Sequence, residues 1–148
     1  MKPPELAEAL HLLVSELDQE AEYLLQRQHG ISHSQLAFMA PLLREGPLDA
    51  TSLAERMGVS VPAVSKRIGW FSERGYIRVD RDSAPGRRIT LELTEAGAAV
   101  TTEAISSLEV GLARLLTDFP AADRDQFHVL VLSLLAHVRS LGTHEIRS

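Results

Sequence analysis

Apolar residues recur at three- and four-residue intervals from the start of the chain: Leu6, Leu10, Leu13, Val14, Leu17, Ala21, Leu24 and Leu25. That stripe predicts one long amphipathic helix over 5–28, with Glu8, Glu16, Asp18, Glu20 and Glu22 on much of its remaining surface. Gly30 ends it. Ser32 or Ser34 caps a second helix carrying Leu36, Met39, Leu42 and Leu43, in which Pro41 predicts a kink and which Gly46–Pro47 closes. Asp49 or Thr51 caps a short helix over 51–57 that stops at Gly58. Ser60 caps the next, over 61–74, with Pro62 in the first turn, where a missing N–H costs little. After Gly75 the period changes. Tyr76–Asp80 and Arg88–Leu93 read as strands, since Ile89, Leu91 and Leu93 alternate with Arg88, Thr90 and Glu92. The polar stretch through Pro85–Gly86 makes them a hairpin with a long tip. Thr94 caps a helix over 95–117, Asp118–Phe119–Pro120 breaks it, and a last helix over 121–141 carries Phe127, Leu130, Val131, Leu134, Leu135, Val138 and Leu141.

Within this order, Leu53 to Ile68 has helix-turn-helix spacing. The small Ala54 lets two helices cross closely, Gly58 supplies a left-handed turn and Val64 fills the wedge between them. Leu53, Met57, Val61, Ile68 and Phe71 complete a buried face. Ser60, Pro62, Ala63, Ser65, Lys66 and Gly69 are left on the outer side, with Arg67 beside them. Small residues flanked by Lys66 and Arg67 suit a helix entering a major groove about 12 Å wide. An ordinary helical hairpin would share the glycine turn. It would not be followed by two strands whose tip bears Arg87 and Arg88, which is the arrangement of a winged helix. Those two arginines are placed to reach along an adjacent minor groove.

Charge changes the picture once it is divided. The 148 residues carry a net −5, which by itself argues against nucleic acid. Residues 56–90 hold eight bases against three acids, a net of +5, while the remainder holds seven against seventeen, a net of −10. Partner choice follows the local field. The absence of cysteine excludes a disulfide framework, a thiol nucleophile, a thiol redox switch and Cys-ligated zinc. No apolar run of about 18 residues occurs, and Met1–Lys2–Pro3–Pro4 followed by Glu5 and Glu8 does not read as a signal peptide, so a cytoplasmic protein without membrane partners is expected.

Over essentially its whole length the chain resembles the MarR family of winged-helix transcriptional regulators. The resemblance is carried by Gly30–Ile31–Ser32, by Leu43–Arg44–Glu45–Gly46–Pro47–Leu48 and by the helix-turn-helix itself. It continues through Glu73–Arg74–Gly75–Tyr76–Ile77–Arg78, Gly86–Arg87–Arg88 and Leu93–Thr94–Glu95–Ala96–Gly97. It implies a mostly α fold in a single domain, 1–148. A winged helix-turn-helix over 32–93 would bind DNA, and helices 5–28 and 95–141 would form a dimerisation lobe. It further implies a homodimer on a roughly palindromic double-stranded operator, acting as a repressor relieved by a small phenolic or other anionic effector. The family usually has an acid two residues before the wing arginine; here that position is Pro85, with Asp82 further back.

The residues themselves support a dimer, because Leu6–Leu25 and Phe127–Leu141 are more apolar surface than one winged helix covers. The expected DNA contacts are Ser60, Pro62, Ala63, Ser65, Lys66, Arg67, Arg87 and Arg88. The family's effector pocket lies between the two lobes, and near it the sequence offers His11, His29 and His33, each more often a plain surface or half-buried histidine. Trp70 is expected to pack between helix and wing rather than on a ligand. No cofactor or metal is expected, since neither His29 with His33 nor His128 with His137 shares a helical face. An enzyme is disfavoured: there is no Gly-rich phosphate loop, metal pair or elbow-placed serine. The remaining alternative is a winged helix used as a protein-interaction module without DNA.

Overall fold

The computed structural model describes residues 2–81 and 88–145, the side chains of 143–145 excepted. The elements run α1 Pro3–His29, α2 His33–Glu45, β1 Leu48–Asp49, α3 Ala50–Met57, α4 Val61–Glu73, β2 Ile77–Arg81, β3 Ile89–Leu93, α5 Glu95–Leu115 and α6 Ala121–Glu145. This is a mostly helical winged helix with a small antiparallel sheet. The chain divides into two compact units, Met1–Glu109 and Val110–Ser148.

Side-chain caps start α2, α3 and α4. Ser32 caps α2 in a reciprocal box: its hydroxyl accepts the Gln35 N–H at 3.0 Å and the Gln35 side chain accepts the Ser32 N–H at 2.7 Å. Asp49 caps α3 by accepting the Ser52 N–H at 2.7 Å, and Ser60 caps α4 by accepting the Ala63 N–H at 3.3 Å. The α3–α4 turn is closed by Gly58 in the left-handed region (φ 67°) and by the Val59 N–H bonded to the Ala54 carbonyl at 3.0 Å. α2 runs on as helix through Pro41, which is buried.

Phe38, Met39, Leu53, Val64, Phe71 and Leu91 are all buried in one core, joined by Leu25 of α1 and Ala104 of α5. Phe38 of α2 stacks on Phe71 of α4, centroids 4.0 Å apart and planes at 15°. The sheet has the order β1-β3-β2. β2 and β3 pair from Ile77↔Leu93 to Arg81↔Ile89, and β1 adds Leu48↔Leu91 and Asp49↔Thr90.

Several element ends lie one or two residues from the sequence expectation, and three further details differ. β1 was not anticipated, because a two-residue strand leaves no periodicity to read. Val61, assigned to the buried face, is 38% exposed at the first position of α4. α6 continues beyond Leu141 to Glu145. The hairpin tip, with Asp82, Pro85, Gly86 and Arg87, lies outside the described residues.

The stripe on α1 divides along its length. Leu24 and Leu25 belong to the core, whereas Leu6, Leu13 and Val14 are exposed. On α6 every described side chain is exposed, and Val129, Leu130, Val131, Leu132, Leu134 and Leu135 distribute apolar surface around the whole circumference. No helix among the described residues is long and apolar enough to cross a membrane.

Candidate nucleic-acid interface

The outer side of α4 carries Ser60, Pro62, Ser65, Lys66 and Gly69, all exposed, with Ala63 and Arg67 half-buried. Two shallow concavities meet at Ser65 and Ile89. One, of about 450 Å³, is walled by Gly69 and Ser72 of α4 and by Val79 and Arg81 of β2. The other, of about 420 Å³, is walled by Asp49, Thr51, Val61 and Arg88. A furrow therefore lies between the recognition-type helix and the base of the wing, with Ser65 between its halves.

The bases that gave this segment its positive charge do different jobs. Arg56 is held by Glu45, its Nε donating to the two carboxylate oxygens at 3.1 and 3.0 Å and Nη2 to Oε1 at 3.0 Å, which raises its already high pKa. Arg78 lies opposite Glu92 in the sheet and pairs with it at 3.4 Å. Arg74 lies 4.4 Å over the Trp70 ring. Arg67 Nη2 donates to the Ser34 carbonyl at 2.7 Å and to its hydroxyl at 2.8 Å, and burial lowers its pKa. Lys66, Arg81 and Arg88 are exposed and form no ion pair among the described residues. These three flank Ser65, Lys66 next to it on α4 and each arginine on one concavity wall.

Arg81 was not singled out from the sequence. The signal was present: it is in phase with Ile77 and Val79, the residues of β2 that face inward, so period two puts it on the α4 side. Asp49, expected only as a cap of α3, also lines the furrow. Its carboxyl lies below the usual carboxylate range, first through the backbone N–H and hydroxyl of Ser52 and to a smaller extent through the charge of Arg88. Trp70 packs edge-on against Phe71 (4.9 Å) and tilted against Tyr76 (6.1 Å), a packing role between α4 and the wing.

The histidines are dispersed. His11 and His33 are exposed, and the His33 backbone N–H donates to Glu22 at 2.8 Å. His29 is half-buried, with Nε2 hydrogen-bonded to the Ser107 hydroxyl at 2.8 Å, tying the end of α1 to α5. None of the three lines either concavity. Among the described residues no group of three or more His, Asp or Glu is placed to hold a metal ion.

No family model matches the chain. It is 29% identical over 122 residues to an uncharacterised HTH-type transcriptional regulator of Mycobacterium bovis, spanning 81% of this chain and 83% of that protein. Its fold matches that of a MarR family protein from Bacillus stearothermophilus with a TM-score of 0.81 at 21% identity, covering 92% of this chain and 94% of the other. It also matches NadR, solved in complex with 4-hydroxyphenylacetate, with a TM-score of 0.67 at 20% identity, covering 90% and 91%. The fold is thus the winged-helix fold of MarR proteins, and the proteins it resembles are transcriptional regulators, a non-enzyme class.

Proposed function

We propose that this protein is a sequence-specific, double-stranded-DNA-binding transcriptional regulator. It works as a homodimer on a roughly palindromic operator, in the cytoplasm, as a repressor released by a small phenolic or other anionic compound. The observation that carries this reading is the grouping of Lys66, Arg81 and Arg88 around the small, exposed residues of α4 in a chain whose overall charge is negative. Small side chains let α4 sit deep in a major groove, so that Ser60, Pro62, Ala63 and Ser65 meet base edges or the T methyl group and Lys66 reaches a phosphate beside them. Arg81, Arg87 and Arg88 take phosphates or the neighbouring minor groove.

The exposed apolar surface of α1 and α6 supports the dimer, because apolar surface of that extent marks an interface. Two-fold symmetry sets two recognition helices about 34 Å apart, one turn of duplex, and so makes the preferred site palindromic. The effector class is supported by the fold shared with a protein solved with 4-hydroxyphenylacetate. His11 and His33 are the side chains of this chain proposed to approach such an anion.

The test is selection of bound duplexes from a random pool, followed by salt titration on the recovered site. With about 3–5 phosphates per protomer, log K against log salt should slope near −5 to −9 for the dimer. A flat dependence rejects the reading. A winged helix serving only protein partners would bind duplex weakly at all salt concentrations and would not respond to Lys66→Ala.

A further inference from the structure

Arg67 differs from the cations around it. Lys66, one residue earlier, is exposed, whereas Arg67 is half-buried and has no carboxylate partner among the described residues. Its Nη2 donates both to the carbonyl and to the hydroxyl of Ser34, and its guanidinium lies 5.5 Å over the Phe38 ring. Phe38 in turn stacks on Phe71, one helical turn further along α4. α4 is therefore tied to α2 twice, once through a charged fork and once through an aromatic pair.

The place it grips is unusual for a cation. Ser34 lies in the first turn of α2, whose N–H groups carry partial positive charge and disfavour a positive neighbour. A counterweight comes from a third element: Glu22 of α1 accepts the His33 N–H at that same turn, at 2.8 Å. The Gln26 side chain and then the His33 N–H hold the Glu22 carboxyl below the ordinary glutamate value. Glu22, the first turn of α2 and Arg67 thus form a continuous polar link from α1 to the recognition-type helix.

We infer that Arg67 is a positioning residue, one that fixes the orientation of α4 for groove entry by bonding to Ser34 rather than by meeting a phosphate. The inference rests on the DNA-binding reading above. Arginine is required for it, since a lysine ammonium is more strongly hydrated and has no plane to lay over Phe38.

The experiment compares salt titrations of the wild type, Arg67→Met, Arg67→Lys, Ser34→Ala and Lys66→Ala on the selected duplex and on a scrambled one. Arg67→Met keeps an unbranched apolar side chain at the half-buried position and removes the guanidinium with its bonds to Ser34. It should weaken specific binding about tenfold, the worth of one mispositioned base contact, and leave the salt slope at the wild-type value. Arg67→Lys should not restore the affinity. Ser34→Ala should weaken binding less, and should add nothing in the Arg67→Met background, a coupling that general destabilisation does not produce. Lys66→Ala should instead reduce the slope by about 1.8, one phosphate from each protomer. If Arg67→Met fails to fold by circular dichroism, Ser34→Ala against Arg67→Lys decides the matter in the same way. A slope reduced by about 1.8 in an Arg67 variant makes it a phosphate contact and overturns the inference. So does wild-type specific affinity in the variants, or additivity with Ser34→Ala. Failure of the wild type to bind any duplex overturns the DNA-binding reading first and this inference with it, and is visible before any variant is made.

Discussion

Replacing Gly97 by alanine should destabilise the protein, although helix propensity predicts the opposite sign. Gly97 lies in the first turn of α5, and alanine in a helix is favoured over glycine by about 1 kcal/mol. A β-carbon on Gly97, however, would sit 2.0 Å from the Tyr76 carbonyl oxygen, 2.8 Å from its carbon and 3.1 Å from its Cα. Everything it meets is backbone, and that backbone is tied down. The Tyr76 N–H bonds to the Phe71 carbonyl at 2.9 Å, and its carbonyl accepts the Thr94 N–H at 3.0 Å. The Thr94 hydroxyl donates to the Gly75 carbonyl and accepts the Gly97 N–H at 3.0 Å, so the cap of α5 and the start of the wing are one unit. Relieving the clash takes a shift of roughly 1 Å, enough to break the Thr94–Tyr76 bond, worth about 1 kcal/mol, in addition to about 1–3 kcal/mol of overpacking.

Set against the propensity gain, the net is a loss of about 1–3 kcal/mol, or roughly 3–10 °C in Tm for a chain of this size. Urea unfolding followed by circular dichroism at fixed protein concentration reads it directly. Gly142→Ala is the matched control: it is also helical, its β-carbon would meet nothing within 4 Å, and it should gain up to about 1 kcal/mol. A Gly97→Ala midpoint at or above wild type would falsify the argument that this glycine exists for a close approach.

Other expectations follow from the same structure. Asp49→Ala should cost about 1 kcal/mol at neutral pH as a lost helix cap. Since the folded pKa of Asp49 is depressed, that contribution is present above the unfolded value of about 4 and is lost as pH falls through the folded value, so the gap to wild type should close in acid and persist at pH 7. Arg81→Ala should weaken duplex binding and reduce the salt slope by about 1.8 for the dimer, with an unchanged urea midpoint; an unchanged slope would remove Arg81 from the interface. Leu134→Asp should dissociate the proposed dimer, with a stable dimer in light scattering counting against α6 as the interface.

What could be read from the sequence was what short-range pattern determines. The helices α1, α2 and α6 follow from three-and-four spacing and α3, α4 and α5 from their caps and stops; Ser60 and Thr94 were legible as caps, and Ser32 and Asp49 as one of two candidates each, because such side chains bond three residues ahead. The furrow was half legible: Ser65 and Lys66 stand on the outer face of α4 as spacing required, while Arg81 needed strand parity carried two residues beyond Val79. Non-local partners were not legible. Nothing in the sequence announces that Glu45 holds Arg56 across the β1 segment, or that Ser34 holds Arg67 across 33 residues. Gly97 stood in a recognisable motif, but its reason, the Tyr76 carbonyl, exists only once β2 and α5 meet.

These partners change what the local charge means. The net of +5 over residues 56–90 overstates the number of side chains free to reach phosphate, because Arg56 and Arg78 are paired with carboxylates and Arg67 and Arg74 are laid against Ser34, Phe38 and Trp70. Lys66, Arg81 and Arg88 are what the described residues leave for phosphate. Three contacts on a lone protomer give a salt slope near −2.7 and the weak, non-specific binding that goes with it. Two protomers double the slope and place the two sets of contacts one turn apart on the duplex. On the proposed reading, then, the apolar surface of α6 and the sparse cations beside Ser65 belong to one design. With so few contacts per chain, specific binding depends on pairing, and a variant that loses the dimer should lose the operator with it.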